Sequence, residues 1–537
     1  MKKKYNRLDI IYILFFYIFC MIYKVKTISN IGLDGYEVII ESDSNRSLPT
    51  IDIVGLPDNS IKESKERIKS TFRSVGIELP PRKIILNLSP SDIKKIGTRF
   101  DLAMAVAILF LTYEGDLQNS DFIKNSVFFG ELGLDGNLKS INGVLPAVLY
   151  ARKIGYQNFF VPQENLYELK YIKGINIYPI LNFSQIVDFF VKGDILDKII
   201  GGINFDDLSN DLDNLENDFE NISGHELAKR ALTVSAGGLH NSLLVGPPGS
   251  GKTMLCKAVQ TILPPMNFDE ILDLSQIYSV IGKLNKHKPL ITSRQFRTVH
   301  HTASKVSIIG GGNFLTPGEV SLAHNGILFF DELAEFPRTV LEVLRQPIED
   351  KIVNISRVNG TVSYPANFMF IASMNPCKCG YYKDMEKNCT CSINEIKKYQ
   401  SKISGPLLDR FDMILEIPRQ KVEKIINNKK DELSSKKIRK NIENAWKNQQ
   451  KRFIGLDISS NSQMSSSHIN EFIKLDDNSK NLLETASKSL NLSPRVIHRI
   501  MKLSRTIADI ENSEDIKQKH LAESLQYRSK NMFVENE

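Results

Sequence analysis

One short segment limits what this chain can fold into more than any other. Residues 246–253 read Gly-Pro-Pro-Gly-Ser-Gly-Lys-Thr and follow the apolar run 242–245. This fits the pattern Gly-x-x-x-x-Gly-Lys-[Ser/Thr] between a predicted strand and a predicted helix, which is the context of a phosphate-binding loop. Glycines let the backbone wrap an anion, so that N–H groups and the positive end of the helix face the phosphates. The chain is therefore predicted to bind a nucleoside triphosphate.

Within this loop the two last residues have the most specific chemistry. We expect Lys252 to reach the β- and γ-phosphates and the Thr253 hydroxyl to bind Mg²⁺. The other nucleotide-binding positions are Gly246, Pro247, Pro248, Gly249, Ser250 and Gly251.

Two later apolar runs end in polar residues suited to hydrolysis. The run 326–330 is followed by Asp331 and Glu332, and the run 368–374 is followed by Asn375. Buried parallel strands read as short apolar runs. Asp331 is predicted to hold Mg²⁺, Glu332 to act as general base on the attacking water, and Asn375 to orient that water. Asn375 also has the simpler interpretation of a turn residue before Pro376.

Composition sets broad limits. The chain has 537 residues, 42% of them hydrophobic and 24% charged, with a net charge of +7. This is long enough for two or three domains and typical of a globular protein. The charge permits nucleic-acid binding without requiring it. Since four of the six cysteines fall in one short segment, a disulfide framework is disfavoured and a reducing, cytoplasmic location is expected.

The pattern along the chain divides it into five parts. Residues 1–20 are interpreted as an N-terminal extension before Met21, because their apolar run is too short to span a bilayer; a short membrane anchor is the alternative, and no stable membrane association is expected. Residues 21–192 alternate strand and helix patterns, and 193–220 form an acidic linker. Residues 221–418 carry the α/β nucleotide-binding core, and 419–537 a basic segment followed by helices.

The clustered cysteines leave two interpretations open. Cys377, Cys379, Cys389 and Cys391 form two Cys-x-Cys pairs. Four thiolates on the arms of a short loop could hold one tetrahedral Zn²⁺, although reduced structural thiols fit the same spacing.

Several strings together carry a resemblance to a known family. They include Val54–Pro57, Gly130–Gly136, Pro317–Gly326 and Leu344–Asp350, and further along the string Ser404–Asp412. With the phosphate loop, they resemble the Mg-chelatase-like AAA+ ATPases typified by ComM and YifB. The resemblance implies a P-loop AAA+ three-layer domain with a helical lid. It also implies that the preceding domain has the α+β ribosomal S5 domain 2-like fold of Lon proteases.

The resemblance assigns further roles. It implies a homo-hexameric ring with ATP at the subunit boundaries. Arg410 stands where the family has its arginine finger, and Arg495 where it has its second sensor. A salt bridge to Asp409 or Asp412 is the structural alternative for Arg410.

The substrate is the least determined feature. The segment 352–364 alternates around Asn359-Gly360, which predicts a hairpin. The family projects such a hairpin into the ring pore, where Lys351 and Arg357 would meet DNA phosphates. The resemblance thus implies remodelling of branched or single-stranded DNA, with recombination proteins as partners. A magnesium-chelatase motor and a protein unfoldase are the alternatives. Proteolysis is not expected, because neither 97–102 nor 143–147 offers a serine or lysine.

Overall fold

A computed structural model describes residues 24–113, 117–204, 218–312, 314–357, 360–420, 434–490, 492–528 and 533–534. The N-terminal extension, residues 205–217 of the acidic linker, residues 358–359 of the hairpin and the basic stretch 421–433 lie outside these residues. The described chain forms two compact units. The first contains the described residues up to 204 together with 275–290, and the second contains the rest. The segment 275–290 thus belongs to the first unit although the phosphate loop precedes it in the chain.

The first unit combines two four-stranded sheets and the two-stranded pair β6-β7 with helices. Its four-stranded sheets have the orders β1-β2-β4-β3 and β10-β9-β8-β5. The strands are β1 Lys24–Ile31, β2 Asp34–Asn45, β3 Ile51–Val54, β4 Lys83–Ser89, β5 Ser126–Phe128, β6 Glu131–Leu132, β7 Leu138–Lys139, β8 Asn158–Pro162, β9 Asn176–Ile180 and β10 Ile199–Ile200. The helices are α1 Asn59–Ser74, α2 Asp101–Thr112, α3 Val144–Lys153, α4 Leu166–Leu169 and α5 Phe183–Val187.

Helix α2 is the centre of this unit. All residues from Asp101 to Phe110 are buried, which explains why all of them except Asp101 are apolar. Asp101 is the one acid among them, and its carboxylate receives a hydrogen bond from Arg67 Nε at 2.7 Å. A buried carboxylate needs such a partner, so this pair fixes α1 against α2.

The second unit is built on a parallel sheet of five strands in the order β12-β15-β18-β11-β19. Its strands are β11 Ser242–Val245, β12 Phe296–Val299, β13 Gly310–Gly311, β14 Thr316–Pro317, β15 Ile327–Phe330, β16 Ile352–Arg357, β17 Gly360–Pro365, β18 Met369–Met374 and β19 Met413–Glu416. Strands β11, β15 and β18 are entirely buried, which explains their uninterrupted apolar sequences. The α/β class with a parallel sheet, predicted from the sequence, is therefore confirmed.

The remaining helices surround this sheet or follow it in the chain. Through β18 they are α6 Glu226–Gly238, α7 Lys252–Ile262, α8 Phe268–Val280, α9 Lys305–Ile309, α10 Glu319–Leu322, α11 Arg338–Val343 and α12 Arg345–Asp350. After β18 they are α13 Ile393–Gln400, α14 Gly405–Leu408, α15 Ser435–Arg452, α16 Ser466–Phe472, α17 Asp477–Ser489, α18 Pro494–Ile510 and α19 Gln518–Gln526. In the part of the chain described, no helix combines the length and apolarity needed to cross a membrane.

Candidate functional site

The phosphate loop follows β11 at the carboxyl edge of the sheet. Gly246 passes so close to β19 that a Cβ would lie 2.2 Å from the Ile417 carbonyl oxygen, so only glycine fits there. Gly249 and Gly251 have φ values of +76° and +80°, in the region that favours glycine. Helix α7 begins immediately afterwards at Lys252, which directs its N-terminal backbone N–H groups toward the loop. The local sequence therefore produces the anion-binding geometry that it predicts.

Lys252 lies inside this loop. Its Nζ donates to the carbonyl oxygens of Gly246 and Pro247, both at 2.8 Å, and to Asn375 Oδ1 at 3.3 Å. Burial lowers the pKa of Lys252 to about 8, and the Asp331 carboxylate opposes that shift. The Ser250 hydroxyl is also buried and has no hydrogen-bond partner among the described residues. A buried ammonium and an unused hydroxyl beside exposed loop amides are the donor set that a polyphosphate requires.

Asp331, which follows β15, contacts both helix α7 and strand β18. Its Oδ2 accepts a hydrogen bond from Thr253 Oγ1 at 3.0 Å, and its Oδ1 accepts one from Ser373 Oγ. The two predicted Mg²⁺ ligands are therefore in direct contact. Hydroxyl and carboxylate oxygens are suitable ligands for Mg²⁺, so these residues fit the ion. Ser373 was not identified from the sequence, although it lies two positions before Asn375 on the same strand.

Glu332 has the geometry of an accessible base. Its backbone is left-handed, with φ of +53°, and its side chain is 55% exposed. The nearest ionic neighbour is His301, whose Nδ1 lies 4.0 Å from Glu332 Oε2. This turn separates Glu332 from Asp331, so the two adjacent acids face different surroundings. The proximity of His301 to Glu332 was not predicted from the sequence, since the two residues lie on different segments.

Arg410 lies at the other edge of the sheet. The Asn241 side chain donates to the Arg410 carbonyl at 3.1 Å, and Asn241 immediately precedes β11. The phosphate loop follows the far end of that strand, whose four residues extend about 13 Å. The Arg410 guanidinium instead contacts Glu349 at 2.8 Å. The structural alternative for Arg410, a salt bridge to Asp409 or Asp412, is therefore replaced by a salt bridge to Glu349.

Two arginines of the C-terminal helices support the backbone beside Arg410. Arg499 and Arg528 both donate to the Phe411 carbonyl oxygen, at 2.7 and 2.9 Å. Arg495 is exposed in the first turn of α18. Ser493 stands at the N-cap of that helix, but its side chain makes no capping hydrogen bond. The structure thus brings Lys252, Thr253, Asp331 and Asn375 together, whereas Arg410 lies elsewhere.

The predicted hairpin is present as the antiparallel pair β16 and β17. Arg357 is exposed near its end, as expected for a residue that meets a ligand. Lys351 does not share this position. It ends α12 in a left-handed conformation, with its amine 5.7 Å from the centre of the Phe368 ring, and burial lowers its pKa to about 8. The contact of Lys351 with phosphates stays a prediction, and its amine lies against Phe368 rather than at the end of the hairpin with Arg357.

The four clustered cysteines meet in space. The sulfur atoms of four cysteines all lie within 4.8 Å of one another: Cys377, Cys379, Cys389 and Cys391. The sequence spacing alone did not distinguish such a convergence from separate thiols.

Comparison with known proteins agrees with this geometry. A family model described as magnesium chelatase, subunit ChlI, matches residues 218–425, and the models for other parts of that subunit match 40–165 and 432–528. The competence protein ComM of Haemophilus influenzae is 36% identical over 507 residues, covering 93% of this chain and 96% of that protein. The chain belongs to the Mg-chelatase-like family of ComM and YifB.

Other relatives extend this assignment. The uncharacterized protein YifB of Salmonella typhimurium is 35% identical over 506 residues, covering 94% of this chain and 96% of that protein. A shorter match to Lon protease 2 of Bacillus subtilis is 29% identical over 128 residues, which are 24% of this chain and 22% of the protease. The Mg-chelatase-like family is one of AAA+ ATPases, so ATPase activity is expected of this member.

Proposed function

We propose that this Mg-chelatase-like protein is a subunit of an ATP-driven ring motor that remodels branched DNA. The contact between Thr253 and Asp331, next to Lys252 and Asn375, is the observation that carries the ATPase part of the proposal. It brings an anion-binding loop, a metal-binding pair and a polar amide to the ends of adjacent parallel strands, where open α/β sheets bind their ligands.

Each residue at this edge of the sheet has a different role in the proposed hydrolysis. Thr253 and Asp331 would hold Mg²⁺, which supplies charge neutralisation on the phosphate oxygens. Lys252 binds the terminal phosphates, and Asn375, already in contact with Lys252 Nζ, orients the attacking water. Glu332 accepts the proton of that water, because its carboxylate is exposed and turned away from Asp331.

The position of Arg410 favours a ring. Since it lies at the edge of the sheet opposite its own phosphate loop, its guanidinium suits the ATP of a neighbouring subunit. We infer a hexamer in the cytoplasm, in which Arg410 exchanges Glu349 for the transferring phosphoryl group and Arg495 responds to the nucleotide. Each subunit would then complete the site of the next.

Two exposed basic surfaces favour DNA as the substrate. The Arg357 guanidinium, on the β16–β17 hairpin, lies 3.4 Å from the position that a Cβ on Gly311 would occupy. Arg357 therefore lies beside the loop that contains Gly311. Helix α15 buries Ile438, Ile442 and Ala445 and exposes Lys436, Lys437, Lys440, Lys447 and Lys451 on its other side. Such cations bind phosphates without reading sequence. The name of one relative, a competence protein, fits this interpretation, and we propose recombination proteins as partners.

The first unit is inferred to have the ribosomal S5 domain 2-like fold without proteolysis. The similarity to Lon protease 2 supports the fold. In the segment 97–102, Asp101 is used for packing through its ion pair with Arg67, and no serine or lysine is present there. A Ser-Lys nucleophile pair has no counterpart at that place.

The proposal is tested by measuring ATP turnover without DNA, with single strands, with duplex and with a four-way junction. Stimulation that is largest for the junction and declines with salt is the expected result. Arg357→Ala should lower that stimulation, whereas Lys488→Ala, which removes an exposed lysine of α17, should not. Turnover that ignores every DNA would overturn the DNA part. It would favour a magnesium-chelatase motor, which the matching family models also suggest, or a protein unfoldase.

A further inference from the structure

The cysteine cluster has the dimensions of a site for one metal ion. The sulfur of Cys379 lies 3.3 Å from that of Cys377 and 3.5 Å from that of Cys389, and the sulfurs of Cys377 and Cys389 are 3.7 Å apart. Four sulfurs bound to Zn²⁺ at about 2.3 Å in a tetrahedron lie about 3.8 Å from one another. Three of the sulfurs are therefore spaced nearly as in such a tetrahedron, and the fourth, on Cys391, lies within 4.8 Å of each of them.

We propose that Cys377, Cys379, Cys389 and Cys391 hold a single Zn²⁺, and that the loop closed by this ion forms a wall of the phosphate-binding loop. The first half stands on the cluster alone. The second half rests on the ATPase function proposed above.

The donor set favours a single soft ion, and we take it to be zinc. Four thiolates in a tetrahedron suit zinc or iron chemistry, and hard ions such as Mg²⁺ prefer oxygen. An iron–sulfur cluster would spread its cysteines over several iron atoms, whereas all four sulfurs here lie within 4.8 Å of one another. One ion fits this space better than a multinuclear cluster.

Backbone amides surround the sulfurs in the way that thiolate ligands require. The Tyr382 N–H donates to Cys377 Sγ at 3.3 Å. The backbone N–H groups of Tyr381 and Thr390 donate to the sulfur of Cys379. Hydrogen bonds of this kind orient the ligands and spread their negative charge. Because the donors belong to both arms of the loop, closing the loop around the ion brings them into place together.

This loop touches the nucleotide site at two points. Gly380, with φ of +86°, lies so close to the phosphate loop that a Cβ would be 2.6 Å from Pro248 Cδ. Cys377 follows Asn375 by two residues, and the carbonyl oxygen between them, on Pro376, accepts a hydrogen bond from Gln400 at 2.8 Å. Fixing the cysteines therefore fixes both the strand end that carries Asn375 and the surface against which Pro248 rests.

A second anchor holds the far side of the loop. Arg419 Nε lies 2.9 Å from Asp384 Oδ2, and its guanidinium packs 5.3 Å from the centre of the Tyr381 ring. Arg419 follows β19, the strand against which Gly246 packs. The cysteine loop is thus attached at two places. One is the end of β18, where Asn375 lies, and the other is the segment after β19, where Arg419 lies.

The metal is tested on the purified full chain. Zinc released by a mercurial and measured with a colorimetric chelator should reach about one ion per chain. The double variant C389S/C391S should retain almost none, while Thr390→Ala, which changes the residue between those two ligands, should retain it all. Protein grown with cobalt should show a thiolate-to-cobalt charge-transfer band that the double variant lacks. Wild-type protein without zinc, or a double variant that keeps it, would overturn the site.

The proposed support of the phosphate loop by the cysteine loop is tested by measuring ATP turnover and the KM for ATP. The double variant should lose about tenfold or more in ATP turnover, the size typical of lost support around a site. Since that variant could also fail to fold, Gly380→Ala provides the independent measurement. It keeps all four thiols but pushes on Pro248, so it should retain zinc and raise the KM for ATP severalfold.

The two parts of this proposal fail separately. Unchanged KM in Gly380→Ala together with unchanged turnover in a zinc-free, folded double variant would overturn the wall and leave the zinc site intact. A wild-type protein that carries zinc but hydrolyses no ATP would instead contradict the proposed ATPase function.

Discussion

The Arg410 guanidinium is bound 2.8 Å from the carboxylate of Glu349 in the same chain. Its side chain is only 15% exposed, and its Nε is buried with no partner among the described residues. A finger that serves a neighbouring ATP must leave this carboxylate. The ion pair therefore describes a resting arrangement of the proposed motor.

Removing the Arg410 side chain tests its role. Arg410→Ala should lower the ATPase rate by about 10³-fold or more, because an arginine finger stabilises charge only in the transition state. Affinity for a fluorescent ATP analogue should change by less than about threefold. Glu349→Gln, which frees the guanidinium, should not reduce the rate. Weak nucleotide binding with normal turnover per bound ATP in Arg410→Ala would contradict the finger role.

Glu332 should separate binding from hydrolysis. Glu332→Gln keeps the size of the side chain and removes the base, so ATP should still bind while turnover falls about 10²- to 10⁴-fold. Equilibrium binding and single-turnover hydrolysis measure the two effects. Glu335→Gln, which changes another exposed acid of the same turn, is the matched control and should behave as wild type. Retained turnover in Glu332→Gln would assign the base elsewhere.

The lowered pKa of Lys252 predicts how nucleotide affinity depends on pH. Burial holds this pKa at about 8, so the amine is charged below pH 8 and neutral above it. A polyphosphate favours the charged form, and above pH 8 binding must therefore add a proton. The Kd for a non-hydrolysable ATP analogue should be flat from pH 7.5 to 8 and then rise by up to about tenfold per pH unit. Lys257→Ala, on the exposed side of α7, should leave this profile unchanged.

His324 predicts sensitivity to acid. Its Nδ1 accepts a hydrogen bond from the Asn367 backbone N–H at 3.1 Å, and burial lowers its pKa from 6.5 to about 4. The unfolded chain then binds a proton between pH 6.5 and 4 that the folded chain does not. Stability is therefore lost as the pH falls through this window, by about 3 kcal/mol in all.

The variant His324→Asn tests this assignment. Its amide oxygen can accept the same hydrogen bond without titrating, so its unfolding midpoint should fall less between pH 7 and pH 5 than that of the wild type. His287→Asn, at an exposed position, should follow the wild type. Equal slopes for His324→Asn and wild type would show that other groups control the acid transition.

The nucleotide end of the sheet could be predicted because it follows local rules. Asp331 and Asn375 each come just after an apolar run, Thr253 closes the phosphate loop that follows another, and the carboxyl ends of parallel strands share one edge. Their meeting required no knowledge of side-chain packing. The buried strands β11, β15 and β18 were predicted on the same basis, from runs of apolar residues.

Contacts between distant segments could not be predicted. Nothing in the sequence near Arg410 indicates Glu349 rather than Asp409 or Asp412, since the choice depends on how α12 packs beside the loop. Gly380 was an unremarkable loop glycine until its distance to Pro248 was known. The position of the Lys351 amine against the Phe368 ring was likewise not visible in the sequence, because periodicity does not reveal which way the residue before a strand turns.

Strand β11 separates the phosphate loop from Arg410 by its own length. For the proposed ring motor this separation has a genetic consequence. A chain that lacks Lys252 still carries an intact Arg410, and a chain that lacks Arg410 still carries an intact phosphate loop. Two inactive mutants, co-expressed in one cell, should therefore rescue each other. With random assembly in a closed ring, about a quarter of the subunit boundaries would combine an intact phosphate loop from one chain with an intact Arg410 from its neighbour.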